Sequence, residues 1–242
     1  MTDLHQAALA RFLERLLLRS PLTLDERAAI LGMRSYPFQA SAQEDVVTPG
    51  AAVDHACLVV DGLIGRYDLM ADGQRQITAL HIAGDLCDLH SVASPVAGWG
   101  LEALTTSTLL QVPHADLRAI ARKFPAIAMA FWRDTIVDAS ILAKWVGNLG
   151  RKNTLSRVAH VYCEMAIRSE KAGLGTRLDF PLPLKQHQLA DVVGATTVHI
   201  NRILQTLRKQ GVVGSGANHF VHINDWNRLT EIADFNPLFL LM

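Results

Sequence analysis

The 242-residue sequence contains little cysteine and no long uninterrupted run of apolar residues. Its three cysteines, Cys57, Cys87 and Cys163, are widely spaced and odd in number, which gives no framework for disulfide bonds. No stretch reaches the roughly 18 apolar residues of a transmembrane helix. Charged residues scattered among the N-terminal leucines indicate an amphipathic helix rather than a signal peptide. These absences argue against a membrane protein and predict a location in the cytoplasm.

Positive charge is missing from one long segment, since no Lys or Arg lies between Gln76 and Gln111. The formal net charge of zero also conceals an asymmetry between the two parts of the chain. Residues 1–149 contain 12 basic and 16 acidic residues, whereas residues 150–242 contain 11 basic and 7 acidic residues. A basic C-terminal module beside an acidic N-terminal one fits a phosphate-binding surface on one domain only.

The N-terminal part has the pattern of an all-antiparallel β domain. Half of all residues are apolar, which is enough for a sizeable core, and the length predicts two modest domains. Between residues 36 and 113, short apolar runs alternate with turn signals such as Asp61-Gly62 and Asp72-Gly73. Such spacing is typical of an antiparallel β-barrel or jelly roll. We therefore predict a β-barrel with flanking helices over residues 1–123, whose clearest strands are 56–60, 63–69, 76–82 and 106–112.

A long helix is predicted over residues 124–149, ending in a hinge near Gly147-Asn148-Leu149-Gly150. Its apolar residues form two stripes with helical spacing, and a helix with two apolar faces needs two partners. One partner is its own barrel, and the other is the same helix of a second subunit; the alternative is a helix buried inside one subunit. The dimer interface is assigned to five residues of the first stripe, Phe131, Thr135, Leu142, Trp145 and Leu149, and the full stripe also includes Ala128 and Asp138. The second stripe comprises Trp132, Ile136, Ala139, Ala143 and Val146.

Residues 186–205 have the pattern of a helix-turn-helix within a DNA-binding domain predicted over residues 150–242. Ala190 allows two helices to cross closely. Gly194 ends the first helix in a left-handed turn, and Thr196 caps the second helix through its hydroxyl. The segment after Gln210, with turn residues 214–218 and an alternating run at 219–223, predicts the small hairpin of a winged helix. The apolar seam between the helices comprises Leu189, Val193, Ala195, Ile200 and Ile203.

The sequence resembles the Crp/Fnr family, the bacterial transcription regulators related to the cyclic-AMP receptor protein. Three segments carry the resemblance: QLADVVGATTVHINRILQTLRKQGVV, LGRKNTLSRVAHVYCEM, and AGDLCDL at residues 83–89. It covers residues 38–229. The resemblance implies an α+β fold with an N-terminal antiparallel β-barrel or jelly roll of the cyclic-nucleotide-binding type, a long dimerisation helix and a C-terminal winged helix-turn-helix. It further implies a homodimer that binds two-fold symmetric double-stranded DNA and RNA polymerase, and no enzymatic activity.

The second helix of the motif carries the residues expected to contact DNA. Arg202 is retained from the family pattern, and its guanidinium is suited to guanine O6 and N7. Thr197 and Val198 replace the Arg and Glu of the best-known members and can offer methyl groups to thymine, and Asn201 can pair with adenine. Contacts to the DNA backbone are expected from Lys185, Gln186, Thr196 and His199.

The effector region departs from the family pattern. Cyclic-AMP binders hold the ribose with a Gly-Glu-Leu segment and the phosphate with a following Arg-Ser pair. Here the first reads Cys87-Asp88-Leu89, and the second aligns near Ala97-Gly98 without a cation to compensate a buried phosphate. We therefore expect no cyclic AMP and no other cofactor. An effector pocket, if a small molecule binds, is assigned to Asp85, Cys87, Asp88 and Leu89.

Three alternatives stay open at this point. A haem- or metal-dependent sensor is compatible with the residue types His55, Cys57, His81, Cys87 and His90, although too few cysteines are present for a four-cysteine iron–sulfur cluster. A barrel enzyme with an attached DNA-binding domain would need a tight cluster of metal ligands, which the histidine spacing does not provide. An architectural protein would bind any duplex, with a strong dependence on salt.

Overall fold

The computed structural model describes residues 2–214 and 219–240. Two helices open the chain, α1 (Thr2–Leu17) and α2 (Leu24–Leu31). The start of α2 is fixed by a capping box, in which Thr23 Oγ1 accepts from Glu26 N and Glu26 Oε2 accepts from Thr23 N. Leu9, Phe12 and Leu16 of α1 are fully buried, so this helix belongs to the core of the N-terminal half.

Seven strands follow and form two antiparallel sheets. One sheet has the order β1 (Tyr36–Ala40), β7 (Ser107–Pro113), β3 (His55–Asp61), and the other has the order β2 (Asp45–Val47), β6 (Gly100–Ala103), β4 (Ile64–Leu69), β5 (Arg75–His81). The predicted antiparallel topology is confirmed, but the sheets do not join into a closed barrel. The reason is that β2 and β6 are short and residues 82–99 form a loop with one 3-10 turn, Leu89–Val92.

The helices α3 (His114–Lys123) and α4 (Pro125–Arg151) connect the sheets to the C-terminal half. The predicted hinge at residues 147–150 is wrong, because α4 is continuous through both glycines. The chain turns instead at Lys152, whose backbone is extended, and Asn153 caps α5 (Thr154–Lys171) by accepting a hydrogen bond from Ser156 N. A Cβ at Gly147 or Gly150 would meet no atom within 4 Å, so close packing does not require glycine at either position.

The C-terminal half contains β8 (Asp179–Pro181), α6 (Gln186–Val193), α7 (Thr197–Lys209), β9 (Phe220–His222), α8 (Trp226–Ala233) and a terminal 3-10 turn, Pro237–Leu240. The predicted wing is present in a modified form. Strand β9 pairs with β8, while Val213 contributes a single bridge to Ile223. The turn predicted at 214–218 lies, apart from Gly214, outside the described residues.

One hydrophobic core crosses the boundary between the two halves. Leu80 of β5 and Leu104 after β6 share a buried cluster with Val158 of α5 and Val192 of α6. At the outer edge of β5, the Gln76 side chain donates to the carbonyls of Asp191 and Val192. Helix α6 therefore covers the edge strand of the second sheet, which leaves fewer unpaired backbone groups exposed there.

No helix in the described ranges is both long and apolar enough to cross a bilayer.

The left-handed conformation of Gly194 generates a prediction about stability. Gly194 has φ +61°, and a Cβ there would lie 3.2 Å from Leu149 Cδ2. We expect Gly194→Ala to lower the free energy of unfolding by about 1–2 kcal/mol, measured by urea denaturation. The matched variant Gly147→Ala lies in open space within a helix and should raise it by about 0.5–1 kcal/mol. Equal effects of the two substitutions would contradict the backbone argument.

Candidate DNA-binding surface and effector region

The helix-turn-helix is positioned by local sequence signals. Gly194 adopts the left-handed conformation after α6, and Thr196 Oγ1 accepts a 3.3 Å hydrogen bond from His199 N at the start of α7. Leu189, Val193 and Ile200 are buried between the helices, and Ala190 is also buried. The predicted seam is thereby confirmed, and α7 holds a fixed orientation on α6.

Polar residues on the outer face of α7 project into solvent. Thr197, Val198, Asn201, Arg202 and Gln205 are exposed and, together with Gln186, line one shallow surface. Asn201 Nδ2 donates to Gln186 Oε1 at 3.3 Å, and Gln205 Nε2 donates to Asn201 Oδ1 at 2.9 Å. These bonds orient the Asn201 amide on the surface. Within the described part of this face, Arg202 is the only cation.

The residues predicted to contact the DNA backbone surround this face. Lys185 and Gln186 are exposed at the start of α6, and Thr196 and His199 are exposed at the start of α7. Gln188 Oε1 accepts from Lys185 N and caps α6, while Gln188 Nε2 donates to Leu104 O in the N-terminal half. Sequence reasoning missed Gln188, whose position beside an exposed helix start gave no sign of a contact between domains.

The first stripe of α4, predicted to form the dimer interface, faces its own chain. Phe131 packs against Phe12 with ring centroids 6.1 Å apart, and Trp145 Nε1 donates to Glu164 Oε2 at 2.7 Å. Phe131 and Trp145 are buried, and Thr135 and Leu142 are partly buried. Only Leu149 is exposed, at 36%, and its Cδ2 lies beside Gly194. Most residues of this stripe therefore pack against other parts of the same chain.

The second stripe of α4 is the one that is exposed to solvent. Trp132, Ile136 and Val146 are 63%, 43% and 62% exposed, and Ala139 and Ala143 between them are exposed as well. Met129 extends the stripe by one turn and is 43% exposed. The positions 129, 132, 136, 139, 143 and 146 alternate steps of three and four, which is the spacing of a coiled-coil seam.

Ion pairs explain which face of α4 is directed toward the interior of the chain. Asp134 Oδ1 accepts from Arg15 Nε of α1 at 2.9 Å, and Asp138 Oδ2 accepts from Arg66 Nη1 of β4 at 2.5 Å. Both carboxylates point inward, so the neighbouring apolar stripe is turned outward. Burial would raise the pKa of Asp138, but the charge and hydrogen bond of Arg66 together with the other nearby cationic groups lower it.

Asp85, a predicted effector residue, lies at the centre of a buried ion-pair network. It is paired with Arg15 of α1, and its Oδ2 accepts from Arg168 Nη2 of α5 at 2.7 Å and from Ile82 N at 3.0 Å. Arg168 Nη1 also donates to Glu164 Oε1 at 2.9 Å. Burial opposes ionisation of Asp85, yet Arg15 and Arg168 hold its pKa below the usual value.

The other predicted effector residues do not form one pocket with Asp85. Cys87 and Leu89 line an internal cavity of about 20 Å³, together with His81 and His90. Asp88 points elsewhere, and its Oδ1 accepts from Cys57 N at 2.7 Å. Burial raises the pKa of Cys87 and of Cys57 well above the usual thiol value. Neither thiol has the lowered pKa of a reactive cysteine.

The cation absent between residues 76 and 111 is supplied by another strand. Arg66 of β4 is buried, pairs with Asp138, and lies 5.1 Å from the Trp99 ring centroid. Burial lowers the pKa of the adjacent His81 to about 4. Across the part of the chain that the structure describes, no three His, Cys, Asp or Glu side chains group in a way that would hold a metal ion.

Two protein-family models match the chain. The cyclic nucleotide-binding domain model matches residues 26–124, and the Crp-like helix-turn-helix domain model matches residues 156–232. The two matched segments flank helix α4 and coincide with the two halves of the fold.

Curated relatives align over most of the chain. It is 24% identical over 211 residues to the transcriptional activator protein FnrL of Cereibacter sphaeroides, covering 86% of this chain and 84% of that protein. It is 24% identical over 213 residues to the nitrogen fixation regulation protein FixK of Azorhizobium caulinodans, covering 85% and 82%. The alignment with the fumarate and nitrate reduction regulatory protein of Escherichia coli is 24% identical and covers 71% and 68%.

Solved structures share the fold over most of the chain. FixK2 from Bradyrhizobium japonicum superposes with a TM-score of 0.75 and 26% identity, covering 83% of this chain and 98% of that one. A CooA mutant from Carboxydothermus hydrogenoformans has a TM-score of 0.66 and 20% identity, covering 82% and 88%. The second likeness concerns the fold alone.

Asp88 generates a prediction of pH-dependent stability. Burial raises its pKa to about 6, from about 4 in the unfolded chain, so the folded state binds the extra proton and loses stability as pH rises through 6. We expect Asp88→Asn, which keeps an acceptor for Cys57 N, to remove this loss. Relative to wild type, the variant should gain about 2 kcal/mol between pH 4 and pH 7, measured by urea denaturation across that range. Parallel pH curves for the two proteins would contradict the assignment.

Proposed function

The chain belongs to the Crp/Fnr family of DNA-binding transcription regulators, and from that premise we propose that it acts as a homodimer whose α7 helices read two-fold symmetric double-stranded DNA. The observation that carries this proposal is the outer face of α7, which is exposed and which the described residues of the chain leave uncovered. A helix presented in this way fits the DNA major groove. The relatives are regulators, and the chain is a regulator rather than an enzyme.

Base reading is assigned to the residues on that face. Arg202 supplies a forked donor for guanine, and the oriented Asn201 amide supplies a paired donor and acceptor for adenine. Thr197 and Val198 offer methyl groups for thymine. Lys185, Gln186, Thr196 and His199 lie at the two helix starts, where backbone N–H groups and the helix dipoles favour phosphates. These contacts would fix position without selecting sequence.

Dimerisation is assigned to the second stripe of α4. Its exposed apolar residues have coiled-coil spacing, and two such helices packed together would remove both Trp132 side chains from water. The small residues Ala139 and Ala143 allow close approach at the centre. This assignment replaces the first stripe, whose large residues are occupied within one chain.

Regulation by cyclic AMP is not part of the proposal. The space between the second sheet and α4 is taken up by the Arg66–Asp138 pair, His81 and His90, leaving a cavity of about 20 Å³. Small-molecule sites usually occupy about 300–1,000 Å³. Arg66 is also engaged by a carboxylate, so a cyclic phosphate would have to displace Asp138. No haem or metal requirement is proposed.

Two further aspects follow from the role in transcription. We propose that the protein acts in the cytoplasm, where DNA and the transcription machinery lie, and that it contacts RNA polymerase when bound near a promoter. The cytoplasmic assignment rests on the family match of the helix-turn-helix.

The base-reading assignment is tested at Arg202. After selection of a target site from a random DNA pool, we expect Arg202→Ala to weaken binding to that site by about 1–3 kcal/mol and to relax preference at one base pair. The matched variant Arg118→Ala removes an exposed arginine of α3 and should leave binding unchanged. Titration of each protein with the selected duplex and with a random duplex measures the loss of affinity. An equal loss on both duplexes would show that Arg202 contacts the DNA backbone rather than a base.

The interface assignment is tested at Ile136. Two facing glutamates in a buried seam would be unpaired, so Ile136→Glu should raise the dimer dissociation constant by about a hundredfold, or about 3 kcal/mol. Sedimentation equilibrium measures the change. Leu24→Glu alters another exposed apolar residue, 81% accessible on α2, and should leave the dimer intact. A dimer unaffected by Ile136→Glu would place the interface elsewhere.

A further inference from the structure

The C-terminal strap, residues 233–240, lies against the turn that joins α4 to α5. Lys152 at that turn extends its side chain to the end of α8, where its Nζ donates to Ala233 O at 2.6 Å and to Asp234 O at 2.9 Å. The Lys152 side chain is 14% exposed, and Asp234 Oδ2 lies 3.5 Å from the same ammonium group. Carbonyls at the end of a helix favour a cation. The turn and the end of α8 are therefore fastened together.

The aromatic residues of the strap contact both helices that meet at this turn. The His160 ring of α5 lies 5.1 Å from the Phe235 ring and 5.4 Å from the Phe239 ring, measured between centroids. Lys144 Nζ of α4 lies 6.0 Å from the Phe239 ring centroid. Burial and the charges of Lys152 and Lys144 lower the pKa of His160 to about 3, so its ring stays neutral. One short segment therefore contacts α4, the turn and α5.

The far end of the strap is anchored as well. Leu240 is 1% exposed and belongs to the hydrophobic core that both halves share. Its carbonyl accepts a 3.3 Å hydrogen bond from Nη2 of Arg19, which follows α1. Because the strap is held at Lys152 and again at Leu240, it cannot shift along α4 and α5 without breaking contacts at one of its ends.

The turn that the strap holds is also adjacent to the helix-turn-helix. A Cβ placed at Gly194, between α6 and α7, would lie 3.2 Å from Leu149 Cδ2 of α4 and 3.8 Å from Arg157 Nη1 of α5. Leu149 and Arg157 lie on either side of Lys152 in the chain. A change in the angle between α4 and α5 would therefore move the start of α7. In a dimer formed through α4, that movement would change the separation of the two α7 helices, which determines half-site spacing.

We propose that Lys152 and the C-terminal strap are positioning elements for DNA binding. By fixing the angle between α4 and α5, they set the spacing between the two DNA half-sites that one dimer accepts. Lys152 acts through the turn and touches no DNA in this role, while base preference within each half-site belongs to the outer face of α7. This role rests on the function proposed above, because it requires a dimer that is formed through α4.

Duplexes with varied half-site spacing test this role on the full-length protein. Two copies of a selected half-site are separated by spacers that change by one base pair at a time. We expect wild type to prefer one spacing by at least about tenfold, and Lys152→Met, which keeps the apolar stem but cannot donate to α8, to prefer it by only about twofold. Base preference within each half-site should not change. Phe239→Ala, which removes the contacts to His160 and Lys144, should have the same effect.

Two matched variants separate this role from a general loss of folded protein. Lys152→Arg keeps the charge and the donors and should retain the wild-type spacing preference, and so should Lys171→Met, the same substitution at an exposed lysine of α5. A spacing preference that is unchanged in both Lys152→Met and Phe239→Ala would overturn the proposal. A loss of affinity that is equal at every spacing would also overturn it.

Hydrogen exchange without DNA measures the hold of the strap on the turn directly. The amides of Ser156 and Arg157 bond to Asn153 in the first turn of α5, and in Lys152→Met they should exchange at least about tenfold faster, while amides of α3 should not change. Unchanged exchange at Ser156 and Arg157 would overturn the proposal. Wild-type protein that bound no two-fold site would overturn the function proposed above together with the spacing role, whereas the exchange result would still report whether the strap holds the turn.

Discussion

The pairing of Asp85 with Arg15 and Arg168 is the interaction on which the arrangement of the whole chain depends. It joins α1, the β domain and α5 at one buried point. Through Asp134, Arg15 also holds α4, and through Glu164, Arg168 also holds Trp145. Removing one member of such a buried pair leaves an uncompensated charge, at a cost of about 3–5 kcal/mol. The two halves are thus held together by charges that must stay paired.

The same network determines which surfaces remain available for partners. Asp134 and Asp138 draw one face of α4 inward, and this rotation presents the stripe from Trp132 to Val146 to solvent. Gln188 anchors α6 to Leu104 O, while α7 keeps its polar face free. The buried charges explain how this particular sequence orients these two surfaces.

The features that the sequence predicted correctly are those governed by local chemistry. Gly194 and Thr196 mark the helix-turn-helix because a left-handed turn and a helix cap depend on the residue itself, and the strands follow from alternation and turn residues. The orientation of α4 could not be predicted from the sequence, because both stripes are apolar and only distant partners, Arg15 and Arg66, decide which stripe packs inside the chain. The separation of Asp85 and Asp88 from Cys87 and Leu89 also reflects long-range packing.

The covering of β5 by α6 makes the DNA-reading module a protective cap on the sheet. Because Gln76 bonds to the carbonyls of Asp191 and Val192, lifting this module away would bare a strand edge and part of the common core. Because each half would expose apolar surface without the other, neither half could be exchanged between related regulators as a separate unit. A graft of this helix-turn-helix onto another sensory domain would have to bring a matching strand edge with it.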